Sequence, residues 1–173
     1  MGHRLPLNFA PKALALAALL LAVALASPAE TAAPQASGNP FDQLKGDWKG
    51  GGTVLPSNGT PVKVNCRVTY TAAGSTTTQN MRCAGTDYSI KATTKFKYKN
   101  GKISGSWNES IYDTNGSVSG TAKGNIVHSR ISGDKFSGRM SINIVGDDHF
   151  INIIQLDTAS GVYRSVANLV LHR

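Results

Sequence analysis

From Trp48 onward, apolar and polar residues alternate along the chain with a period of two. Such alternation places apolar side chains on one face of a β-strand and polar side chains on the other. No segment after residue 40 shows the 3.6-residue period of an amphipathic helix, so the pattern predicts an all-β domain. The clearest inward sets are Val62, Val64, Cys66, Val68 and Tyr70; Tyr88, Ile90, Ala92, Phe96 and Tyr98; and Phe136, Met140, Ile142 and Ile144.

Turn signals rich in Gly, Asn and Asp separate these runs, as at Asn100-Gly101, where the pair adopts positive φ at little cost. The other signals are Ser57-Asn58-Gly59, Ala73-Gly74-Ser75, Asn115-Gly116, Gly133-Asp134 and Gly146-Asp147-Asp148. The short connections predict a single antiparallel up-and-down β-barrel of about 8–10 strands, with a tightly folded sandwich as the alternative. The expected strands are 46–55, 61–72, 77–84, 88–99, 102–111, 117–123, 126–132, 136–145, 149–156 and 162–172.

An apolar-Ser-Gly tripeptide recurs within the expected strands. In three of its four copies the glycine falls on the inward face. Glycine there lets a strand bend or another backbone approach closely, so we interpret the repeat as a device for barrel curvature rather than as a ligand contact. The copies are Ile103-Ser104-Gly105, Val118-Ser119-Gly120, Ile131-Ser132-Gly133 and Phe136-Ser137-Gly138.

The N-terminal segment has the order of residues typical of a secretory signal peptide. Arg4 and Lys12 precede an apolar run over 13–25, which is too short to span a bilayer, for which about 20 residues are needed. We expect cleavage near Ala26 and a periplasmic or secreted protein, with an uncleaved membrane anchor as the alternative. The predicted organisation is a signal peptide over 1–26, a flexible leader over 27–40 and a β-barrel domain over 41–173.

The two cysteines are expected to form a structural disulfide. If strands 61–72 and 77–84 form a hairpin that turns at 73–76, Cys66 and Cys83 occupy directly opposed positions. Export to an oxidising compartment would allow that bond to persist. A redox-active pair is the alternative, but the chain contains no Cys-x-x-Cys motif.

Composition and motifs argue against several function classes. Charged residues make up only 16% of the chain, too few for a coiled coil, and two cysteines cannot form a four-cysteine metal site. There is no Gly-x-Ser-x-Gly nucleophile elbow and no phosphate-binding loop. His128, His149 and His172 lie on separate expected strands, so we predict no metal site. We therefore expect a protein that is not an enzyme and uses no cofactor.

Trp48, Trp107 and Glu109 are the candidate ligand-binding residues. Glu109 shares the inward parity of Trp107, and a carboxylate there needs a partner such as Arg67, Arg82 or a backbone donor. Two interpretations of Glu109 stay open. It lies solvated at the barrel mouth, or it lines a cavity and fixes a polar group of a ligand.

A stripe of lysines marks one expected hairpin face. The net charge of +8 and this stripe would allow weak contact with an anionic surface, although a solvated outer strand face is the usual explanation of such lysines. No aromatic residues interleave the stripe for base stacking, so we expect no nucleic-acid partner. Its members are Lys91, Lys95, Lys97 and Lys99, with Lys102 beside them.

The segment Leu44-Lys45-Gly46-Asp47-Trp48 resembles the Gly-x-Trp signature of lipocalin-like (calycin) barrels. The resemblance implies that Trp48 closes one barrel end and that the cavity binds small apolar molecules. The signal peptide, this motif, the cysteine pair and Ile103-Ser104-Gly105-Ser106-Trp107-x-Glu109 together resemble small exported bacterial proteins of unknown function.

The chain also resembles periplasmic metalloprotease inhibitors, which are small exported barrels with Gly-x-Trp near the start and one early disulfide. That resemblance implies that residues 27–40, beginning at Ser27, enter a protease cleft. Three functional hypotheses follow. The barrel binds a small apolar or amphipathic ligand; it binds an exported protein such as a protease; or it is a small outer-membrane or envelope-associated barrel.

Overall fold

The computed structural model describes residues 39–57, 59–157 and 160–173, which form an antiparallel β-barrel. Each strand pairs with its sequence neighbours, and β1 also pairs with β10, so the barrel is closed and the predicted up-and-down fold is confirmed. The strands are β1 (Gly46–Val54), β2 (Val62–Ala73), β3 (Thr76–Ala84), β4 (Ser89–Lys99), β5 (Lys102–Glu109), β6 (Thr114–Lys123), β7 (Ile126–Gly133), β8 (Ser137–Val145), β9 (Asp148–Leu156) and β10 (Tyr163–His172).

The alternating pattern is resolved into two faces of the barrel wall. Val64, Val68 and Tyr70 of β2 are buried inside, whereas the intervening Lys63 and Arg67 are exposed outside. The same alternation continues in the other strands, so the core occupies the barrel interior. None of the described residues forms a helix that is both long and apolar enough to cross a membrane. The predicted signal peptide and residues 27–38 of the predicted leader lie outside the described residues.

One predicted turn is wrong. Asn115-Gly116 lies inside β6, and the connection between β5 and β6 is the turn over 110–113. Gly116 allows β6 to lie close to β7, because a side chain there would lie 1.9 Å from the carbonyl oxygen of Ser132 on β7. The turn itself contains Asp113 at a φ of 49°, a conformation that Asp tolerates better than most residues.

A short 3₁₀ helix over Pro40–Leu44, here named the plug, covers the end of the barrel where β1 begins. Pro40 occupies the first turn of the plug, and the Asn39 side chain accepts a hydrogen bond from Phe41 N. The Phe41 ring stacks on Phe96 of β4 with centroids 4.7 Å apart, and Leu44 is also fully buried. This segment was expected to contain the end of a leader and the start of the barrel, not a closing element.

Cys66 and Cys83 face each other across β2 and β3, as the hairpin register predicts. Their sulfur atoms are 2.04 Å apart, at disulfide-bonding distance. The pair therefore joins two neighbouring strands of the barrel wall, on its inward side.

Candidate functional site

The barrel interior differs between its two ends. At the plugged end, Trp48, Phe96 and Leu171 are completely buried. At the opposite end, here named the open end, β5 finishes and β6 begins, and several of the inward-facing side chains are only half-buried. These side chains are Met81, Ile90, Ala92, Trp107, Thr114, Ile153 and Gln155. The open end is therefore the less completely buried end of the barrel interior.

Trp48 lies at the plugged end and is fully buried. Its Nε1 donates a hydrogen bond to the Leu44 carbonyl oxygen at 2.7 Å, which ties β1 to the plug. The Arg173 guanidinium lies 4.6 Å from the centre of the Trp48 ring and also donates to the Gln43 carbonyl oxygen. Trp48 thus fastens the plug, with its hydrogen-bond donor already used.

Trp107 lies in the open end, where its ring leans over Gly133 of β7 and meets Phe136 edge to face at 6.5 Å. The indole Nε1 is shielded from solvent and has no hydrogen-bond partner among the described residues. The Thr114 hydroxyl shares this condition. A buried polar group without a partner costs about 1–3 kcal/mol, so both atoms are suited to bonding an incoming group.

Register places these two polar atoms on the same interior face. Trp107 pairs with Gly116 across β5 and β6, and Thr114 lies two residues before Gly116 on the inward side of β6. Residues two apart on neighbouring strands are diagonal neighbours, about 7–8 Å apart. Trp107 and Thr114 are therefore neighbours on the inward side of β5 and β6.

Glu109 is 5% exposed, so it is not the solvated carboxylate that one interpretation expected. Its carboxylate accepts hydrogen bonds from the backbone N–H groups of Lys91, Ile111 and Tyr112, at 2.7–3.1 Å. Of the partners considered from sequence, a backbone donor is the one found. Glu109 therefore holds the turn over 110–113 against β4 and shapes the rim of the open end.

Two tyrosines pack together at that turn, Tyr112 from within it and Tyr88 from outside it. Tyr88, which precedes β4, and Tyr112 stack with ring centroids 6.0 Å apart. Burial raises the pKa of Tyr88 to about 12, with smaller contributions from Tyr112 and Glu109. The Tyr88 phenol is therefore a neutral hydroxyl near pH 7, and the stacked pair makes the rim beside Trp107 aromatic.

His149 is a buried residue whose importance the sequence did not show. Its ring lies 4.8 Å from the Trp48 ring and 5.6 Å from the Tyr70 ring, and neither ring nitrogen has a hydrogen-bond partner among the described residues. Burial lowers the pKa of His149 from 6.5 to about 4. The strand alternation puts His149 on the inward face of β9, but the Gly146-Asp147-Asp148 turn signal directly before it obscures that assignment in the sequence.

The three histidines of the barrel are not brought together. His128 is exposed on the outside of β7, and His172 is exposed on β10, where its Nδ1 contacts the Asp148 carboxylate. Within residues 39–57, 59–157 and 160–173, no group of three His, Cys, Asp or Glu side chains has the arrangement of a metal site.

Thr114 and Tyr112 are the site residues that sequence reasoning missed. Both follow a predicted strand end at residue 111 and precede a predicted strand start at residue 117, so they were assigned to a loop. The Thr114, Gly116 and Val118 alternation was the available signal, but the Asn115-Gly116 turn pattern outweighed it.

Comparison with solved structures places the barrel in a known architecture. The chain is similar to the crystal structure of Rv2717c from M. tuberculosis, with a TM-score of 0.62 and 14% sequence identity. The match covers 79% of this chain and 98% of that chain. At this level of identity the similarity shows the fold alone. No protein-family model matches the sequence, and no curated protein sequence does.

Proposed function

We propose that the open end of the barrel binds a small amphipathic molecule, with an apolar body and at least one hydrogen-bond acceptor. The single observation that carries this proposal is Trp107, a half-buried aromatic residue whose indole N–H is shielded and unpartnered among the described residues. Small-molecule sites combine a mostly apolar lining with a few polar groups that fix orientation, and this end of the interior has that composition.

The apolar contacts come from inward-facing side chains of β3, β4, β5 and β9 and from the segment before β8. Met81, Ile90, Trp107, Phe136 and Ile153 are all half-buried and pack against the barrel core. Removing such surface from water contributes about 25 cal/mol for each Å². Trp107 Nε1 and Thr114 Oγ1 would bond the polar end of the ligand. Glu109 would act on the rim and not on the ligand, because the described structure commits its oxygens to backbone donors.

The resemblance of residues 44–48 to the Gly-x-Trp signature supports this function, since lipocalin-like barrels bind small apolar molecules in their cavities. We further propose that the protein is exported to the periplasm or beyond the cell and is not an enzyme. The Cys66–Cys83 pair supports an oxidising location. The alternative role as a protease inhibitor depends on residues 27–40, most of which lie outside the described residues, and it stays a prediction.

Dodecanoate is a suitable probe, because it has one apolar chain and one carboxylate acceptor. We expect saturable binding by isothermal titration calorimetry. Trp107→Phe keeps an aromatic ring but removes the donor, and Thr114→Val removes the hydroxyl with little change of shape. Each variant should raise the Kd at least tenfold, since a hydrogen bond to a charged group contributes about 1.5–3 kcal/mol and about 1.4 kcal/mol is a tenfold change in Kd.

Thr77→Val is the matched control. Thr77 Oγ1 is also buried and unpartnered among the described residues, but Thr77 is fully buried on β3 beside Phe96 at the plugged end. The control should bind dodecanoate as the unchanged protein does. Equal weakening by Thr77→Val and Thr114→Val would contradict the site. Failure to bind dodecanoate, together with native mass spectra of protein from its own host that show no bound molecule, would refute the function.

A further inference from the structure

Four basic side chains form a row across the outside of β1–β4. The strand register pairs Lys49 with Arg67, Arg67 with Arg82, and Arg82 with Lys91. All four are exposed. Directly opposed residues on antiparallel strands have Cβ atoms about 5 Å apart, so the row presents one cation at each strand crossing.

This row is electrostatically unfavourable within the protein itself. Like charges placed directly opposite each other destabilise a sheet. Within the part of the chain that the structure describes, no carboxylate lies within ion-pair distance of any of the four. The ion pairs found there are Lys45–Asp42, Arg164–Asp157 and His172–Asp148. An external anion would relieve the repulsion in the row.

The row borders a shallow groove. A depression of about 480 Å³ is lined by Lys49, Arg67 and Arg82, and by small residues that include Asn65 and Ala84. Asn65 pairs with Ala84 across β2 and β3, two positions along from the cations. The groove therefore has a cationic side and a floor of small residues, and its lining comes from β1, β2 and β3, which the row also crosses.

The same wall carries most of the excess charge of the barrel. Residues 46–99 contain eight Lys or Arg against two Asp, whereas residues 100–173 contain seven Lys or Arg against six Asp or Glu. Such asymmetry produces a field that steers anions toward β1–β4 from a distance.

We propose that the outer face of β1–β4 binds a linear acidic polysaccharide along the row Lys49–Arg67–Arg82–Lys91. A charged chain of sugars carries regularly spaced anions, which the spacing of the row complements, and the small residues of the groove floor leave room for the sugar rings beside the cations. This inference does not depend on the function proposed for the open end.

The chemistry of this wall favours a polysaccharide over the other polyanions. The exposed large apolar side chains among the described residues, such as Tyr112, Phe150 and Tyr163, lie outside β1–β4. The wall therefore lacks aromatic platforms for nucleic-acid bases and apolar groups to insert into a membrane. A flat lipid surface would also touch a convex wall along a narrow strip, whereas the row runs around the wall.

Heparin, a linear sulfated polysaccharide, is the probe, and dextran is its uncharged counterpart. The double variant Arg67→Gln/Arg82→Gln removes the centre of the row. The matched control Lys97→Gln/Lys99→Gln removes the same net charge from exposed positions of β4 that lie outside the row. In 50 mM salt, we expect the row variant to raise the Kd for heparin at least tenfold and the control to raise it less than threefold.

Circular dichroism of both variants should match the unchanged protein, because all four substituted side chains are exposed. Dextran should not bind, and added salt should weaken heparin binding. Three results would overturn the proposal: equal weakening by the two double variants, no heparin binding, or binding of phosphatidylglycerol vesicles or single-stranded DNA at least as tight as that of heparin.

Discussion

At the scale of single residues, Glu109 determines the shape of the open end. One carboxylate accepts hydrogen bonds from three backbone N–H groups on two segments, β4 and the turn over 110–113. Bonds from backbone donors to an ionised acceptor are stronger than bonds between neutral groups. The position of the Tyr112 ring against Tyr88 therefore depends on the backbone hydrogen bonds that Glu109 accepts from this turn.

Glu109→Ala leaves these backbone donors without their acceptor. We expect the free energy of unfolding, measured with urea, to fall by about 2–4 kcal/mol, because an unmet buried donor costs about 1–3 kcal/mol. Glu109→Gln retains one acceptor oxygen and should lose less. If both variants unfold at the same urea concentration as the unchanged protein, Glu109 does not hold the turn.

His149 is the second residue with a large individual effect, and it makes the barrel sensitive to acid. Its folded pKa of about 4 lies below the ordinary value of 6.5, so the unfolded chain takes up the proton first as the pH falls. Stability is unaffected by this group above pH 6.5 and declines between about pH 6.5 and 4. At pH 4.5 the loss is on the order of 2–3 kcal/mol.

His149→Phe keeps an aromatic ring against Trp48 and Tyr70 but removes the titrating group. We expect this variant to lose less stability than the unchanged protein between pH 7 and pH 4.5 in urea unfolding curves. His128→Gln, at an exposed position on β7, is the control and should show the full acid loss. Identical acid losses for His149→Phe and the unchanged protein would show that His149 takes up its proton in the folded protein as readily as in the unfolded chain.

At the scale of strands, glycine allows neighbouring backbones to approach inside the curved wall. A side chain at Gly105 of β5 would lie 1.9 Å from the carbonyl oxygen of Lys95 on β4. Real side-chain carbons do not come this close to backbone oxygen, so the strand would have to move. The contact supports the interpretation of the apolar-Ser-Gly repeat as a device for curvature.

Gly105→Ala should therefore be severe, with a loss of at least about 3 kcal/mol in unfolding free energy or failure to fold. Ser106→Ala, one residue along on the exposed face of β5, should change stability by less than about 0.5 kcal/mol. Thermal unfolding followed by circular dichroism compares the two. Equal melting temperatures would mean that β5 adapts to the added methyl group without cost.

The cysteine pair joins β2 to β3 and closes a loop with a sequence separation of 17. A crosslink over a loop of that size stabilises by about 3 kcal/mol through the unfolded chain. The double variant Cys66→Ala/Cys83→Ala should lose about that amount in urea. Reductant should destabilise the unchanged protein by a similar amount and leave the variant unaffected. If reductant does not change the unfolding free energy of the unchanged protein, the disulfide has no structural role.

Strand pairing could largely be predicted from sequence, for a physical reason. The side-chain period of two assigns each residue to a face, and a short turn then sets which residues oppose each other, as for Cys66 and Cys83. The reasoning failed at Asn115-Gly116, because the same dipeptide that favours a hairpin turn also suits a strand that needs close backbone approach. Local pattern alone does not distinguish these two uses.

At the scale of the whole molecule, the difference between the two barrel ends could not be predicted from sequence. Trp48 and Trp107 share the inward parity, yet one is fully buried under the plug and the other lines the open end. The plug itself, over Pro40–Leu44, is too short to show any periodicity. Likewise, the row from Lys49 to Lys91 exists only after four strands are in register, whereas the sequence showed only the lysines of β4.

Barrel closure brings the two ends of the described domain together. Arg173 contacts both Gln43 and Trp48, and β1 pairs with β10 from Lys49↔His172 to Val54↔Ala167. A short linker from residue 173 to residue 39 would therefore allow circular permutation, with new termini cut into the Asn100-Gly101 hairpin. The permuted chain would retain every strand pairing. The β1–β10 pairing would then join strands that are close in sequence, whereas the β4–β5 pairing would join the two ends of the chain.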